Sequence, residues 1–335
     1  MGFAQTTLAR IALGDANAAL EMDGMRFAAF VKTHPADVGD ARGILTDSAA
    51  AATALATGHK TKNGMLAVLP DGRPVQTILE GAQAKGKRVG LVTTVTITHA
   101  TPAGFGAHVG SRGDEAEIAA QYLARKIDVL MGGGEAFFIP QSAEGSKRKD
   151  SRDLIAEARA AGYGVVRTRD EMMADRSDRL LGLFNKGYLT VAPPEPSVAE
   201  MTEKALAVLG RSPKGFFLMA EGGQIDSACH GNDGPKAVKQ TLDFDAAVGV
   251  ALAFARKRGD TLVIVTADHE TGGLSIVSPP SGSSAPYAMA WGTKGHSATV
   301  VPLLADGPGA DRFSGVLDNT DVAKRIAALW SLKLD

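Results

Sequence analysis

Short apolar runs alternate with segments of helical periodicity along most of the chain, and this alternation is the strongest constraint on its fold. In the helical segments, apolar residues recur at positions i, i+3 and i+4, the spacing of an amphipathic α-helix. Strands that alternate with helices indicate βαβ units, in which helices cover both faces of a mostly parallel sheet. The predicted strands span residues 89–94, 127–131, 164–167, 216–220, 261–267 and 299–305.

The predicted helices lie mainly between these strands. Ser197 and Glu200 have the spacing of a capping box at the start of one of them. A polar stretch at 141–152 and a Pro-, Gly- and Ser-rich stretch at 278–284 are predicted loops. Neither loop is long enough to mark a domain boundary, so we expect a single domain over residues 1–335. The helices are predicted at 49–56, 75–84, 115–124, 152–161, 198–209, 237–255 and 321–329.

Charge and composition exclude several classes of protein. The 335 residues include 36 Lys and Arg against 37 Asp and Glu, and the resulting net charge of −1 argues against nucleic-acid binding through bulk positive charge. The longest apolar runs are too short to span a bilayer, and the pattern of a signal peptide is missing from this chain. Because the single cysteine, Cys229, cannot form an intrachain disulfide, the core must hold the fold together.

Polar side chains come after several of the predicted strands. In open α/β sheets, ligands bind beyond the carboxyl ends of the strands. Thr101 follows the first predicted strand, Glu221 follows the strand at 216–220, and the Asp268-His269 pair follows the strand at 261–267. We therefore take these residues as candidates for a functional site.

Two short motifs contain residue types that bind metals. Asp226 and His230 are four residues apart, so on a helix they would share one face as two ligands of one ion, or else form a surface pair. Two glycines, Gly272 and Gly273, come shortly after Asp268 and His269. This pattern suits a rigid metal site but also an ordinary turn. His296 stands in a Gly-flanked turn. The remaining histidines at 34, 59 and 108 have no such context and are expected to be structural or superficial.

Asp47 and Ser48 stand at the start of an Ala-rich helical segment. Either side chain could cap that helix. A serine hydroxyl at the positive end of a helix would also be well placed beside a bound anion. On the local sequence alone, both interpretations stay open.

Several short motifs follow one another in a fixed order along the chain. They are Asp47-Ser48-Ala49, Thr53-Ala54, Thr57-Gly58, His99-Ala100-Thr101-Pro102, Ser111-Arg112, Glu221 with Asp226 and His230, Asp268-His269-Glu270-Thr271-Gly272-Gly273, and Gly295-His296. In this order they resemble the alkaline phosphatase family, over a stretch from Gly2 to about Val322. The resemblance implies a three-layer α/β/α sandwich around a large, mostly parallel sheet. It also implies hydrolysis of phosphate monoesters with two Zn²⁺ ions and one Mg²⁺ ion.

The resemblance assigns two zinc sites residue by residue. Asp226, His230 and His296 would hold the first zinc ion. Asp268 and His269 would hold the second ion, which in the family also binds the nucleophilic serine. Imidazole and carboxylate ligands are suited to zinc.

The other assigned roles concern the nucleophile, the third metal and the phosphate. Ser48 would attack phosphorus and form a phosphoserine intermediate. Thr101 and Glu221 would belong to the magnesium site, with His99 as a neighbour of that site. Arg112 would clamp the phosphate with a bidentate fork that a lysine could not match.

Two departures from the family pattern affect the metal sites. The chain begins at the Met-Gly of a Gly-Asp-Gly-Met-Gly pattern that ends an N-terminal strand in the family. We therefore expect that strand to be absent, together with its Asp, which bridges the second zinc and the magnesium, and we expect weaker activity. A start codon assigned too late, a fragment and a degenerate homologue are the alternative explanations. His99 stands where some members carry Asp, which leaves the metal of the third site open.

The leading hypothesis is a zinc-dependent phosphomonoesterase. A related phosphodiesterase or sulfatase, and a pseudoenzyme that only binds metal or phosphate, are the alternatives. The expected partners are phosphomonoester substrates and inorganic phosphate, with neither nucleic acid nor a membrane span. The resemblance also suggests a homodimer and a periplasmic or secreted location.

Overall fold

The computed structural model describes residues 1–14, 18–36 and 43–334, which form two compact α/β units. The first unit comprises Met1–Asp47 and Gly223–Asn319, and the second comprises Ser48–Gly222 and Thr320–Asp335. Each unit therefore combines two separate stretches of the chain. The single domain predicted over residues 1–335 stays a prediction.

All seven predicted helices are present, with ends that differ from the prediction by at most three residues. Those predicted at 115–124 and 198–209 are confirmed with the same ends, and the Ser197–Glu200 capping box is present. Short 3₁₀ helices cover Glu21–Gly24, Glu135–Phe137 and Ala310–Arg312. The α-helices are α1 (Phe3–Ala12), α2 (Ser48–Thr57), α3 (Ile78–Ala84), α4 (Ala100–Gly106), α5 (Glu115–Ala124), α6 (Leu154–Ala160), α7 (Arg169–Ala174), α8 (Val198–Leu209), α9 (Gln224–His230), α10 (Gly234–Arg258) and α11 (Thr320–Leu329).

Each of the six predicted strands is present, with ends shifted by a few residues, and further short strands occur that the sequence did not predict. The described strands are β1 (Phe27–Lys32), β2 (Arg88–Thr96), β3 (Val129–Gly133), β4 (Tyr163–Val166), β5 (Arg179–Leu183), β6 (Phe216–Glu221), β7 (Val263–Thr266), β8 (Glu270–Thr271), β9 (Leu274–Val277), β10 (Ala288–Trp291), β11 (His296–Ser297), β12 (Val301–Asp306) and β13 (Gly315–Asp318).

The second unit contains a five-stranded, fully parallel sheet in the order β4-β5-β3-β2-β6. Successive side chains of a strand point to opposite faces of its sheet. A Cβ atom on Gly90 of β2 would meet Leu209 of α8 at 2.8 Å, whereas the next residue, Leu91, lies against Gly106 of α4. Helices therefore cover both faces of this sheet, which confirms the predicted layered arrangement within the unit.

Helix α4 was not predicted, because it contains a proline and two glycines and so has a low intrinsic helix propensity. Pro102 lies in the first turn, where a missing N–H costs little. A Cβ atom on Gly104 would lie 2.7 Å from the Cβ of Ala52 in α2, so only glycine permits this close packing of the two helices. Ser48 and Thr101 therefore lie on two helices that pack closely against each other within the second unit.

The first unit contains a four-stranded mixed sheet in the order β13-β1-β12-β7. Strand β12 is antiparallel to both β1 and β7, whereas β1 and β13 are parallel. This sheet departs from the mostly parallel pairing predicted from the sequence. Its core lies beneath α10, where Val248 and Leu252 pack with Val265 of β7 and with Leu20 and Met22.

The helices of the described residues include no candidate for a membrane span. None of those within 1–14, 18–36 and 43–334 is both long enough and apolar enough to cross a bilayer.

Candidate metal centre

Three potential metal ligands converge in the first unit. Asp226 and His230 lie four residues apart on α9, which confirms that their segment is helical, and His296 begins β11. One ligand atom from each residue lies within 4.8 Å of the other two, and all three side chains are partly buried. One carboxylate and two imidazoles at this separation match the ligand types of a zinc site with three protein ligands.

Hydrogen bonds to backbone carbonyls hold the rings of the two histidines. Nδ1 of His230 lies 2.5 Å from the carbonyl oxygen of Lys294, and Nδ1 of His296 lies 2.7 Å from that of Thr46. Because a carbonyl can only accept, each Nδ1 carries a proton, and Nε2 is the ring nitrogen that could bind a metal. The two Nε2 atoms are 3.3 Å apart. Two Nε2 atoms this close to each other and to the Asp226 carboxylate fit a shared cation.

Asp268 and His269 lie next to this cluster in the same unit. The Asp268 carboxylate is 3.2 Å from Nε2 of His269, and the rings of His269 and His296 stack with their centroids 3.5 Å apart. The structure thus brings together the five residues that the resemblance assigns to the two zinc sites. Asp226 and the buried His269 both contact the hydroxyl of Thr271.

The electrostatic surroundings of His269 favour positive charge. Burial alone would lower the pKa of this imidazole, but the carboxylates of Asp268 and Asp226 outweigh the burial and hold the pKa above its ordinary value. Burial and the neighbouring His269 lower the pKa of His296 instead. A negative environment that stabilises a proton on His269 also stabilises a metal cation bound there.

A tight turn positions the ligands of both motifs. Strand β8 pairs with β11 so that Thr271 lies opposite His296 and Glu270 lies opposite Ser297. Gly272 follows with a φ of +90°, and a Cβ atom there would lie 2.6 Å from the ring of Trp291. Only glycine can therefore join this strand to the rest of the turn.

Sequence reasoning assigned no role to Glu270 or Thr271, although Thr271 contacts two candidate metal ligands and Glu270 holds the turn beside them. The Glu270 carboxylate is buried and accepts hydrogen bonds from the side chains of Gln5 and Ser297 and from the backbone N–H of Gly273. The Thr271 hydroxyl bonds to Asp226 and to Nδ1 of His269. Their position inside the Asp-His-Glu-Thr-Gly-Gly motif was the available signal.

Replacing Thr271 with the isosteric valine should weaken zinc binding by roughly 10- to 100-fold, the usual cost of losing a group that orients metal ligands. The substitution removes the hydroxyl shared by Asp226 and His269 without changing side-chain volume. Competition with a chromophoric chelator measures the affinity. The control is Thr7→Val on the exposed side of α1, and equal zinc affinities in both variants would contradict the orienting role.

The second unit carries the remaining candidates, beginning with Ser48. This residue starts α2 and is only 5% exposed. Glu221 ends β6 directly opposite Thr93 of β2, whose hydroxyl donates a 2.6 Å hydrogen bond to the carboxylate. The Thr101 hydroxyl is buried, and within the described part of the chain it has no hydrogen-bond partner. An oxygen left in this state is available as a ligand to a hard cation such as Mg²⁺.

Arg112 and His99 contact each other in the second unit. Nη2 of Arg112 lies 3.1 Å from Nε2 of His99. Because a guanidinium can only donate, Nε2 of His99 accepts this hydrogen bond. The ring of Tyr188 meets the His99 ring edge-on at 5.8 Å. This hydrogen bond fixes one nitrogen of the Arg112 guanidinium against His99.

Two histidines expected to be structural have structural partners. His34 pairs with Asp318 at 3.2 Å in the first unit. In the second unit, His108 contacts the carbonyl oxygen of Ala67 at 2.7 Å and the Glu80 carboxylate at 3.0 Å. Neither belongs to the cluster of potential metal ligands.

The family model described as alkaline phosphatase matches residues 1–289. The chain belongs to the alkaline phosphatase family. It is 36% identical to alkaline phosphatase 3 of Bacillus subtilis over 87% of this chain and 79% of that protein. It is also 36% identical to the streptomycin-6-phosphate phosphatase of Streptomyces griseus, over 99% of this chain and 89% of that protein. The solved alkaline phosphatase of the Antarctic bacterium TAB5 superposes with a TM-score of 0.87, at 31% identity, over 98% of this chain and 95% of that one.

Membership of the alkaline phosphatase family confirms the resemblance stated from the motifs, and the likeness to solved members confirms the predicted α/β fold class. The chain is accordingly an enzyme of this family of phosphate-ester hydrolases. The individual metal ligands, the nucleophile and the phosphate clamp stay predictions.

Proposed function

We propose that this chain hydrolyses phosphate monoesters through a covalent phosphoserine at Ser48, with two zinc ions and one magnesium ion as cofactors. The observation that carries the proposal is the convergence of the Asp226, His230 and His296 ligand atoms within 4.8 Å in a chain of this family. The hydrogen bonds of the two histidines support it, because each Nδ1 is held by a carbonyl oxygen while the two Nε2 atoms lie 3.3 Å apart.

The donor set of each group of residues matches a particular metal. Asp226, His230 and His296 would hold the first zinc, and Asp268 with His269 would hold the second, since zinc accepts nitrogen and carboxylate ligands. The Thr101 hydroxyl and the Glu221 carboxylate offer the oxygen ligands that magnesium prefers, with His99 nearby in sequence. Two solved variants of the TAB5 enzyme, in which a histidine is replaced by aspartate or glutamate, have Mg bound in a site called M3.

The proposed reaction has two displacements at phosphorus. The Ser48 oxygen attacks phosphorus, the bond between phosphorus and the ester oxygen breaks, and the alcohol leaves. Water then attacks the phosphoserine, which releases inorganic phosphate and restores the Ser48 hydroxyl. When bound, zinc supplies the Lewis acidity that makes a serine alkoxide accessible and stabilises the leaving alkoxide. Arg112 binds two nonbridging oxygens, and its hydrogen bond to His99 limits the orientations of the fork.

The class of substrate is a phosphate monoester in general. One relative is named for a single substrate, streptomycin 6-phosphate, whereas others are named as alkaline phosphatases. A homodimer and a location outside the cytoplasm, which the motif resemblance implies, belong to the same proposal.

A comparison of three p-nitrophenyl esters tests the proposed function. With zinc and magnesium supplied, the chain should hydrolyse p-nitrophenyl phosphate far faster than bis-p-nitrophenyl phosphate or p-nitrophenyl sulfate. Zinc content, measured by elemental analysis on the same sample, shows whether the metal sites are filled. Preference for the bis-ester or the sulfate would indicate a phosphodiesterase or a sulfatase. Full zinc content without turnover of any ester would indicate a pseudoenzyme.

Arg112→Ala should weaken the binding of inorganic phosphate and lower kcat/KM by roughly ten- to a hundredfold, because a charge-assisted bidentate contact contributes about 1.5–3 kcal/mol. Arg112→Lys should recover only part of the loss, since an ammonium cannot reproduce the planar fork. The inhibition constant for phosphate is the measurement, and Arg152→Ala, at an exposed residue paired with Glu157, is the control. An unchanged inhibition constant in Arg112→Ala would contradict the clamp.

A further inference from the structure

We propose that Glu115 is a positioning residue that holds Arg112 and His99 in one fixed arrangement. The inference rests on the proposed function, because it matters only if Arg112 binds phosphate. The residues concerned all belong to the second unit.

The Glu115 carboxylate joins two segments of the chain that each carry a candidate residue. Its Oε2 atom accepts a 2.8 Å hydrogen bond from the Thr96 hydroxyl and a 2.7 Å hydrogen bond from the Thr98 hydroxyl. Thr98 directly precedes His99, and Glu115 follows Arg112 by three residues. A single carboxylate oxygen therefore ties the start of α5, just after Arg112, to the chain just before His99.

Other hydrogen bonds of the Arg112 loop lead to a different segment. The backbone N–H of Arg112 donates to the carbonyl oxygen of Gly64 at 2.7 Å, and Val109 forms a two-way backbone bridge with Leu66 at 3.0 and 3.1 Å. These bonds fix the loop to residues 64–66 and leave its position relative to His99 to other contacts. The carboxylate of Glu115 supplies such a contact.

The surroundings of Glu115 make this connection strong and rigid. Both threonines are buried, with Thr96 5% exposed and Thr98 0% exposed, and hydrogen bonds to an ionised acceptor are stronger than neutral ones. Glu115 is the first residue of α5, where the helix dipole favours a negative charge. The buried Arg148 donates to the carbonyl oxygen of Ala116 at 2.9 Å and to that of Phe137 at 3.0 Å, which anchors the same turn of α5.

The position of Arg112 relative to His99 matters for the proposed function because a bidentate contact with phosphate tolerates little displacement of the guanidinium. Groups that recognise a ligand in this way must be held to within about 0.5 Å, by partners whose own conformations are fixed. Without the carboxylate, the Arg112 loop would keep its bonds to residues 64–66, but its distance from His99 would vary. The expected result is a weaker clamp in a protein that is still folded.

A double-mutant cycle in the zinc- and magnesium-loaded protein tests the inference. Inorganic phosphate binding is measured by calorimetry, and kcat and KM are measured with p-nitrophenyl phosphate, for Glu115→Ala, Arg112→Ala and the double variant. Glu115→Ala should weaken phosphate binding roughly tenfold in the parent protein, and by less than about twofold when Arg112 is already alanine. A residue with a purely structural role would weaken binding equally in both backgrounds.

Matched variants separate positioning from a general loss of stability. Glu117→Ala alters an exposed carboxylate on the same turn of α5, which contacts Gln121, and it should leave phosphate binding unchanged. Glu115→Gln keeps the size of the side chain, and Thr98→Val removes one of the two donors. Both should weaken binding in the same direction even if Glu115→Ala fails to fold, and thermal unfolding of each variant shows that it is folded.

The outcomes distinguish this inference from the proposed function. Equal losses in Glu115→Ala and Glu117→Ala, or fully additive effects in the cycle, would overturn the positioning role while leaving the clamp intact. Normal phosphate binding in both Glu115→Gln and Thr98→Val would also overturn it. If Arg112→Ala itself binds phosphate normally, the clamp of the proposed function is wrong, and the role of Glu115 falls with it.

Discussion

Ser48→Ala should reduce the turnover of p-nitrophenyl phosphate by at least about a thousandfold, the scale of loss when a catalytic nucleophile is removed. The side chain is 5% exposed at the start of α2, and alanine is already the dominant residue of that helix. The substitution should therefore remove the attacking oxygen without disturbing the packing of the second unit. Steady-state rates and thermal unfolding of the two proteins are the measurements.

A chemical readout accompanies this loss of rate. An acid quench during turnover, followed by mass spectrometry, should find phosphate on Ser48 of the parent protein and none at residue 48 of the variant. Ser151→Ala, at an exposed serine that precedes α6, is the matched serine control and should keep its activity. Equal turnover by Ser48→Ala would exclude the covalent mechanism.

His296→Ala should remove about one zinc ion per chain and lower the affinity of the first site by more than the roughly 10- to 100-fold that a supporting residue costs. The variant leaves two ligands, Asp226 and His230, where the structure brings three together. Because a metal that binds only the folded state stabilises it, the rise in Tm on adding zinc should also shrink. Elemental analysis and unfolding curves with and without zinc measure the two effects.

His34→Ala is the matched control for the zinc experiment. His34 lies in the same unit, pairs with Asp318 and is not one of the clustered potential metal ligands. Its replacement should leave zinc content and the zinc-dependent rise in Tm unchanged. Full zinc content in His296→Ala would show that other residues complete the first site, and the proposed ligand set would be wrong.

Four of the five strands in the parallel sheet of the second unit were predictable because they are short, continuous apolar runs that alternate with amphipathic helices. The fifth, β5, was not predicted. Strands β1 and β13 were missed for different reasons. Strand β1 buries only Ala29 and Val31, so it is not a fully buried core strand of the kind that was predicted. Strand β13 has only four residues. Helix α4 was missed because burial against α2 overrides its low propensity.

The candidate ligands were found from local motifs, but the groups that orient them were not. His296 donates its Nδ1 proton to the carbonyl oxygen of Thr46, which is 250 positions away in the sequence. The contacts of Glu115 with Thr96 and Thr98 likewise depend on how β2 and α5 meet. Residue types at a given spacing suggest ligands, whereas tertiary packing alone determines which carbonyls and hydroxyls surround them.

The discontinuous make-up of the two units has a consequence for the protein during its synthesis on the ribosome. Residues 48–222 can begin to fold as they emerge, although their unit is completed only by α11, which packs against α2. The first 47 residues have to wait for residues 223–319 before their own unit can form. Since the clustered residues Asp226, His230 and His296 all belong to that later stretch, the proposed first zinc site can assemble only after residue 296 has been synthesised.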